Sequence, residues 1–171
     1  MTGSRSGLAF LGFATAVAGV AWIGSRYSSR DLRTRTWYSR LKKPPFNPRQ
    51  AAFPVVWTIL YALMAFSGWR TWRGDMSPAR SRALRLWAMQ LAANAEWTHL
   101  FFGRHQPKQA LADIVLLESL LVVYIATAKD VDGAAAACFL PYAGWVAFAA
   151  VLNAEIVRRN PEAETKLPLA A

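Results

Sequence analysis

Stretches of about twenty mostly apolar residues, separated by short segments that hold most of the charge, leave this chain few ways to fold. Residues 8–25 contain no Asp, Glu, Lys or Arg, and similar runs follow at 53–70, 84–102, 109–128 and 134–157. A backbone crossing lipid must satisfy its own amide and carbonyl groups, so each run is expected to be a helix. The expectation is an all-α integral membrane protein, a bundle of five transmembrane helices forming one domain over residues 1–160, with 161–171 as a short tail. The first run has a competing reading as a cleaved signal peptide, since Arg5 precedes it and Ala16-Val17-Ala18 resembles a cleavage site. It continues past that site through Trp22 and Ile23, so it is kept as a span.

Composition narrows the function classes. Over half of the 171 residues are hydrophobic, 54%, while the net charge is +10. That charge flanks the apolar runs instead of lining a basic helix or an aromatic–basic strand, which argues for a membrane surface and against nucleic acid. The single cysteine, Cys138, excludes an internal disulfide and a cysteine-based zinc site; within its apolar run it reads as a packed thiol. With five spans, the side holding the first loop, the third loop and the C-terminus has 13 Lys and Arg against 7 opposite. The positive-inside tendency places that side in the cytoplasm, and a bacterial cell membrane is the expected location.

The first loop, 26–50, is basic and broken by Pro44, Pro45 and Pro48, which favour extended or turn backbone. It leads into a run where Phe53, Trp57 and Tyr61 recur every fourth residue with Val56, Leu60 and Met64 beside them, one aromatic helical face. A stiff cationic loop above such a face has the form of a pocket lid; an ordinary loop entering a membrane helix is the plainer alternative. Ser77 and Pro78 mark the start of the third long helix as N-cap and first residue.

Across the chain stand Trp37-Tyr38, Lys43-Pro44, Pro48, Phe53, Val56-Trp57 and Leu60-Tyr61. Then follow Gln90-Leu91, Asn94, Trp97, Phe101-Phe102-Gly103 and Ala110-Leu111, and finally Pro141-Tyr142, Trp145, Ala149 and Leu152-Asn153. In this order and spacing, over roughly residues 8–160, the chain resembles the TspO/MBR family of tryptophan-rich sensory proteins, related to the mitochondrial translocator protein. The resemblance implies a five-helix bundle, often dimeric, with a pocket beneath the first loop. In the family that pocket takes tetrapyrroles such as protoporphyrin and haem, and in some members sterols or synthetic ligands. Family members are linked to tetrapyrrole transport, sensing or light-dependent breakdown, and in phototrophic bacteria to control of pigment synthesis.

The residues fit that expectation. On a wheel of about 100° per residue, Gln90, Trp97 and Phe101 fall within about 60° of Asn94, giving one face of two amides and two aromatics. Trp57, Tyr61, Tyr142 and Trp145 offer stacking surfaces, with Tyr38, Pro44 and Pro48 in the covering loop. Lys42, Lys43 and Arg49 are placed to meet propionate carboxylates. The alternative is that these aromatics only pack helices and line the membrane interface. Three positions depart from the family pattern. Arg49 replaces a second proline, Ala51 replaces a tryptophan tied to porphyrin breakdown, and Ala154 replaces the tyrosine of a sterol-associated motif. No cholesterol binding is therefore expected.

Glu96 and His99 share a helical face pointing at about 200° and 140°, away from Asn94, and Glu118 adds a carboxylate at membrane depth. Ionisable groups in lipid mark functional positions. A metal site is disfavoured because no second histidine accompanies the Glu-x-x-His pair. A hydrogen bond between His99 and a carboxylate across packed helices is preferred; the third reading is a face that docks another membrane protein or a pigment. Catalysis is not expected: Ser119 has no histidine to activate it, and His105 beside Arg104 reads as a solvated residue. The expectation is a non-enzymatic protein with no required cofactor, in contact with lipid, that binds a tetrapyrrole or related hydrophobic molecule as sensor, carrier or regulator. It is expected to be a homodimer or a subunit of a larger assembly. The alternative function is an accessory subunit of a pigment-bearing photosynthetic complex, docked through Glu96 and His99. Ala88, Ala92 and Ala95 would permit close helix approach in either case.

Overall fold

The computed structural model describes residues 2–28 and 32–163; residues 164–171 of the expected tail lie outside them. The described residues are helical, with no strand. In order they are α1 (Thr2–Ser28), α2 (Leu32–Arg40), α3 (Ala52–Arg73), α4 (Pro78–Thr98), a π turn (His99–Gly103), α5 (Pro107–Lys129) and α6 (Gly133–Arg159).

Local signals set these ends. The hydroxyl of Ser77 accepts from the Arg80 amide at 3.1 Å with Pro78 at the first helical position, as expected for α4. Asp132 caps α6 in the same way, accepting from the Ala135 amide at 2.9 Å. Pro141 lies inside α6 without ending it.

One expectation changes. The first loop is not continuous coil: residues 32–40 form α2, and the extended, proline-bearing stretch is confined to 41–51. All three prolines lie beyond Arg40, so nothing in LRTRTWYSR breaks a helix. Among the described residues four helices are long and apolar enough by composition to cross a membrane, α1 from Arg5, α3, α5 and α6, which accounts for four of the five expected spans. α4 has 21 residues but carries Arg80, Arg82 and Arg85 in its first turns, which lowers its apolar content. With these spans the protein is an integral membrane protein in contact with lipid.

α5 and α6 lie along each other, α4 along α5, and α1 along α3 and α4. The large core holds Met64, Leu117, Leu121, Tyr124, Phe139 and Tyr142, all at most 2% exposed. Fully buried Ala83, Ala110, Ala128 and Ala135 allow the backbones to approach, which matters where lipid supplies no hydrophobic drive for association. Ala88 and Ala92, by contrast, are exposed on the outside of α4. A second cluster at one end joins Leu41 to Leu100, Phe101, Leu152 and Ile156, with Trp37 and Tyr38 against it. This cluster fastens α2 and the stretch after it over the ends of α4 and α6.

Candidate functional site

α3, α4 and α6 each contribute one polar side chain to a chain of hydrogen bonds. The Tyr61 hydroxyl donates to Asn94 Oδ1 at 3.4 Å, and Asn94 Nδ2 donates to the Tyr142 hydroxyl at 2.8 Å. Asn94 and Tyr142 are 1% and 0% exposed. A polar side chain so deep in an apolar bundle needs a partner, and here each meets the other. Glu118 and Asp113 of α5 lie within electrostatic range of the Tyr142 hydroxyl. One oxygen of each, Glu118 Oε2 and Asp113 Oδ2, is buried without a hydrogen-bond partner.

Around this relay stand aromatic rings. Trp57 lies 5.1 Å from Tyr61 and 6.2 Å from Tyr142, while Trp145 meets Phe53 at 5.9 Å. Trp57, Tyr61 and Trp145 pack against the core but are only half-buried. On α4 the expected face is present. Gln90 is fully buried, its amide nitrogen donating to the Trp87 carbonyl at 2.9 Å while Oε1 has no partner. Trp97 stacks on Phe101 at 5.2 Å, and its indole donates to Asn153 Oδ1 at 3.2 Å. Asn153 in turn donates to the Pro107 carbonyl at 2.8 Å, tying α6 to the start of α5.

The cover is built from the 41–51 stretch. The Tyr38 hydroxyl donates to Asn47 Oδ1 at 3.3 Å, the Asn47 amide donates to the Pro44 carbonyl at 3.0 Å, and Asn47 Nδ2 donates to the Pro48 carbonyl at 3.1 Å. Pro44 is buried and Pro48 half-buried. The Lys43 ammonium sits 4.5 Å from the Tyr38 ring centroid. Burial raises the Tyr38 phenol above its ordinary value and lowers Lys43. Lys42 and Arg49 are exposed, as is Ala51, so two of the family departures sit at the open end of α3.

The α4 ionisable pair departs from expectation. Glu96 is exposed, and no hydrogen bond links His99 to Glu96 or Glu118 among the described residues. The π turn that begins at His99 directs its ring to Tyr27 of α1, 5.3 Å away, with Nδ1 buried and unpartnered. Gly103 is required there, since a Cβ would come within 3.0 Å of both His99 and Tyr27. No group of three metal-ligating side chains occurs among the described residues. His105 also differs from its reading as a solvated residue. It is half-buried, adopts φ 55°, stacks on Trp37 at 4.4 Å and lies 3.2 Å from the Thr34 hydroxyl.

Two hollows lie away from Asn94. One, of about 510 Å³, separates the end of α2 from the end of α6 and includes Trp37, Leu41 and Asn160. The other, of about 620 Å³, is an apolar groove where α1 meets Trp72 and Trp87. Sequence reasoning also missed the knot of Ser67, Thr71 and Tyr124, in which the tyrosine hydroxyl lies 2.8 and 3.0 Å from the two smaller ones. Ser67 and Thr71 are spaced by four on α3, a signal present in the sequence.

A model described as the TspO/MBR family matches residues 13–159. Among curated proteins, the chain is 36% identical over 126 residues to protein CrtK of Rhodobacter capsulatus, covering 73% of this chain and 79% of that one. It is 34% identical over 157 residues to the tryptophan-rich sensory protein of Cereibacter sphaeroides, covering 90% and 94%. The human translocator protein is 31% identical over 153 residues, covering 88% and 89%.

Proposed function

The chain belongs to the TspO/MBR family, and on that premise we propose that it binds a tetrapyrrole or a related flat hydrophobic molecule between α3 and α6. The observation that carries this reading is the half-buried aromatic row of Trp57, Tyr61 and Trp145 around the Asn94–Tyr142 hydrogen bond. A planar amphiphile stacks on rings and needs few polar anchors, and this row offers both. Asn94 and Tyr142 are closed off by their neighbours, so the ligand rests against the half-buried rings and reaches the amide only by parting Tyr61 from it. Its carboxylates would meet Lys43 and Arg49, with Lys42 at the rim. Gln90, Trp97 and Phe101 then act as the wall that holds Asn94 in place, and Tyr38, Pro44 and Pro48 as the cover.

The role is that of sensor, carrier or regulator, in keeping with the relatives named sensory and translocator proteins. It involves no catalysis and no resident cofactor. α4 serves as a fifth span, with its arginines at the surface, and the first loop faces the cytoplasm of a bacterial membrane. Titrating purified protein with protoporphyrin tests the reading. Saturable quenching of tryptophan fluorescence that weakens in Trp57→Ala and Asn94→Ala supports it, and quenching that is unsaturable or indifferent to both removes it. Illumination of the same samples, with loss of the porphyrin absorption band only in the presence of protein, would replace binding by breakdown.

A second reading rests on Glu96, a carboxylate exposed on the outside of α4 beside exposed Ala92. Such a face suits a second copy or a subunit of a larger, pigment-bearing assembly. Co-purification with a membrane complex, lost in Glu96→Ala, supports this role over free ligand binding.

A further inference from the structure

We infer that the cleft between the ends of α2 and α6 is a binding site for a phosphate group, supplied by an anionic lipid headgroup or a soluble phosphate ester. This goes beyond the tetrapyrrole reading and uses a separate cleft, which shares with that site only Lys42. Among the described residues the cleft, of about 510 Å³, is lined by three cations, Arg40, Lys42 and Arg159, and one carboxylate, Glu162. Neither Arg40 nor Lys42 has a carboxylate partner among the described residues, and both are exposed. The Arg159 Nε donates to Glu155 at 2.9 Å, and the same side chain lines the cleft. Glu155 itself is neutralised by Arg158 and Arg159 together, so it adds little repulsion.

The frame is built, not accidental. Asn160 accepts from the Lys42 amide at 2.9 Å and donates to the Lys42 carbonyl at 3.0 Å, clasping the chain where α2 gives way to the loop. On the opposite wall the Trp37 indole donates to the Ala163 carbonyl at 3.3 Å. These bonds tie the end of α2 to the segment after α6 at both walls. The end of a helix is ordinarily a poor place for an anion, because its last carbonyls carry partial negative charge. Here the Ile156 and Val157 carbonyls accept from the Asn160 amide, and Ile156 accepts again from Asn160 Nδ2. With two of the last four carbonyls so occupied, the three cations outweigh what remains of the helix end.

Position and floor indicate what the phosphate belongs to. The cleft opens where the apolar run of α6 ends at Arg159, which is headgroup depth for a spanning helix. Its floor of Trp37, Leu41 and Pro161 is apolar and can receive the glycerol end of a lipid, while guanidinium groups grip phosphate oxygens in pairs.

The test compares retention of dioleoyl phosphatidic acid and dioleoyl phosphatidylcholine by purified full-length protein in a neutral detergent, read by native mass spectrometry. The expected result is selective retention of phosphatidic acid, reduced about tenfold in the Arg40→Gln/Lys42→Gln double variant. Retention should stay intact in Arg73→Gln, which changes a cation over Trp69 at the other end of α3. Both changed side chains of the double variant are exposed, so the fold is kept; Asn160→Ala, which leaves every cation in place, should weaken retention as well. Displacement by excess inorganic phosphate would assign the site to soluble phosphate esters, and resistance to it would assign the site to lipid. Equal retention of both lipids, or equal retention by the double variant and Arg73→Gln, overturns the inference.

Discussion

Asn94 donates its side-chain amide to the Tyr142 hydroxyl at 2.8 Å, a bond that joins α4 to α6 across the interior. Both residues are almost wholly buried, so deleting either partner leaves the other without water to turn to. Tyr142→Phe is expected to lower stability by about 1–2 kcal/mol, the range for such bonds inside membranes and cores. Asn94→Ala should cost at least as much, because it also frees the Tyr61 hydroxyl. Thermal unfolding in detergent, followed by tryptophan fluorescence, checks both. A double variant less destabilised than the sum of the singles would show that the two act through their shared bond.

Gly68 is packed so tightly that a methyl group has nowhere to go. A Cβ there would lie 2.6 Å from Phe13 and 2.7 Å from the Trp87 indole nitrogen, which donates to the Met64 carbonyl. Gly68→Ala must therefore push α1 outward or break the Trp87 bond, at about 1–3 kcal/mol. Combining it with Phe13→Ala should recover part of the loss, whereas Gly12→Ala, where a Cβ meets nothing within 4 Å, should unfold like the parent.

The Arg70–Asp132 pair makes a pH-dependent contribution. The two meet at 2.8 Å, and Asp132 also caps α6. Burial alone would raise the Asp132 carboxyl, but the hydrogen bonds from Arg70 and the Ala135 amide, with the guanidinium charge, hold it below 3.8. A depressed folded value means that the stabilisation is present above the unfolded value and disappears as pH falls through the folded one. Both side chains are partly exposed, so the pair is worth about 0.5–1 kcal/mol. Asp132→Asn keeps a capping side chain but loses the charge. Its stability deficit should be constant well above the ordinary carboxyl range and shrink as the pH falls through the depressed folded value; a deficit unchanged at low pH would show that the charge contributes nothing.

Much of the helical plan was legible in the sequence. The apolar runs gave the long helices, and Ser77-Pro78 the start of α4. The wheel that grouped Gln90, Asn94, Trp97 and Phe101 matches a face in which three of the four are nearly or fully buried. α2 was hidden because its polar sequence has no apolar period; it is helical while docking Thr34 and Trp37 on the α4–α5 turn. His99 escaped for a different reason. The wheel gives the side of α4 that His99 occupies but not the neighbour that meets that side, and packing puts Tyr27 of α1 there instead of a carboxylate. The partners of Asn94 could not be read at all, because pairing across helices separated by 48 residues is a tertiary fact.

Stacking and amide anchoring in the proposed site can be told apart with two residues on one face of α3. The Tyr61–Asn94 contact is long, 3.4 Å, so Tyr61→Phe gives up a weak bond and leaves Asn94 Oδ1 open to a ligand. Its porphyrin affinity should be unchanged or higher, with little loss of stability, because Asn94 keeps Tyr142. Trp57→Ala removes a ring 5.1 Å from Tyr61 and 6.2 Å from Tyr142 without touching the relay. The loss of one stacking partner, about 0.5–1.5 kcal/mol, should weaken binding about three- to tenfold. Fluorescence titration of both variants against the parent decides the matter. If Tyr61→Phe weakened binding while Trp57→Ala did not, the phenol would be the anchor, and the ligand would lie across α4 instead of against the α3 rings.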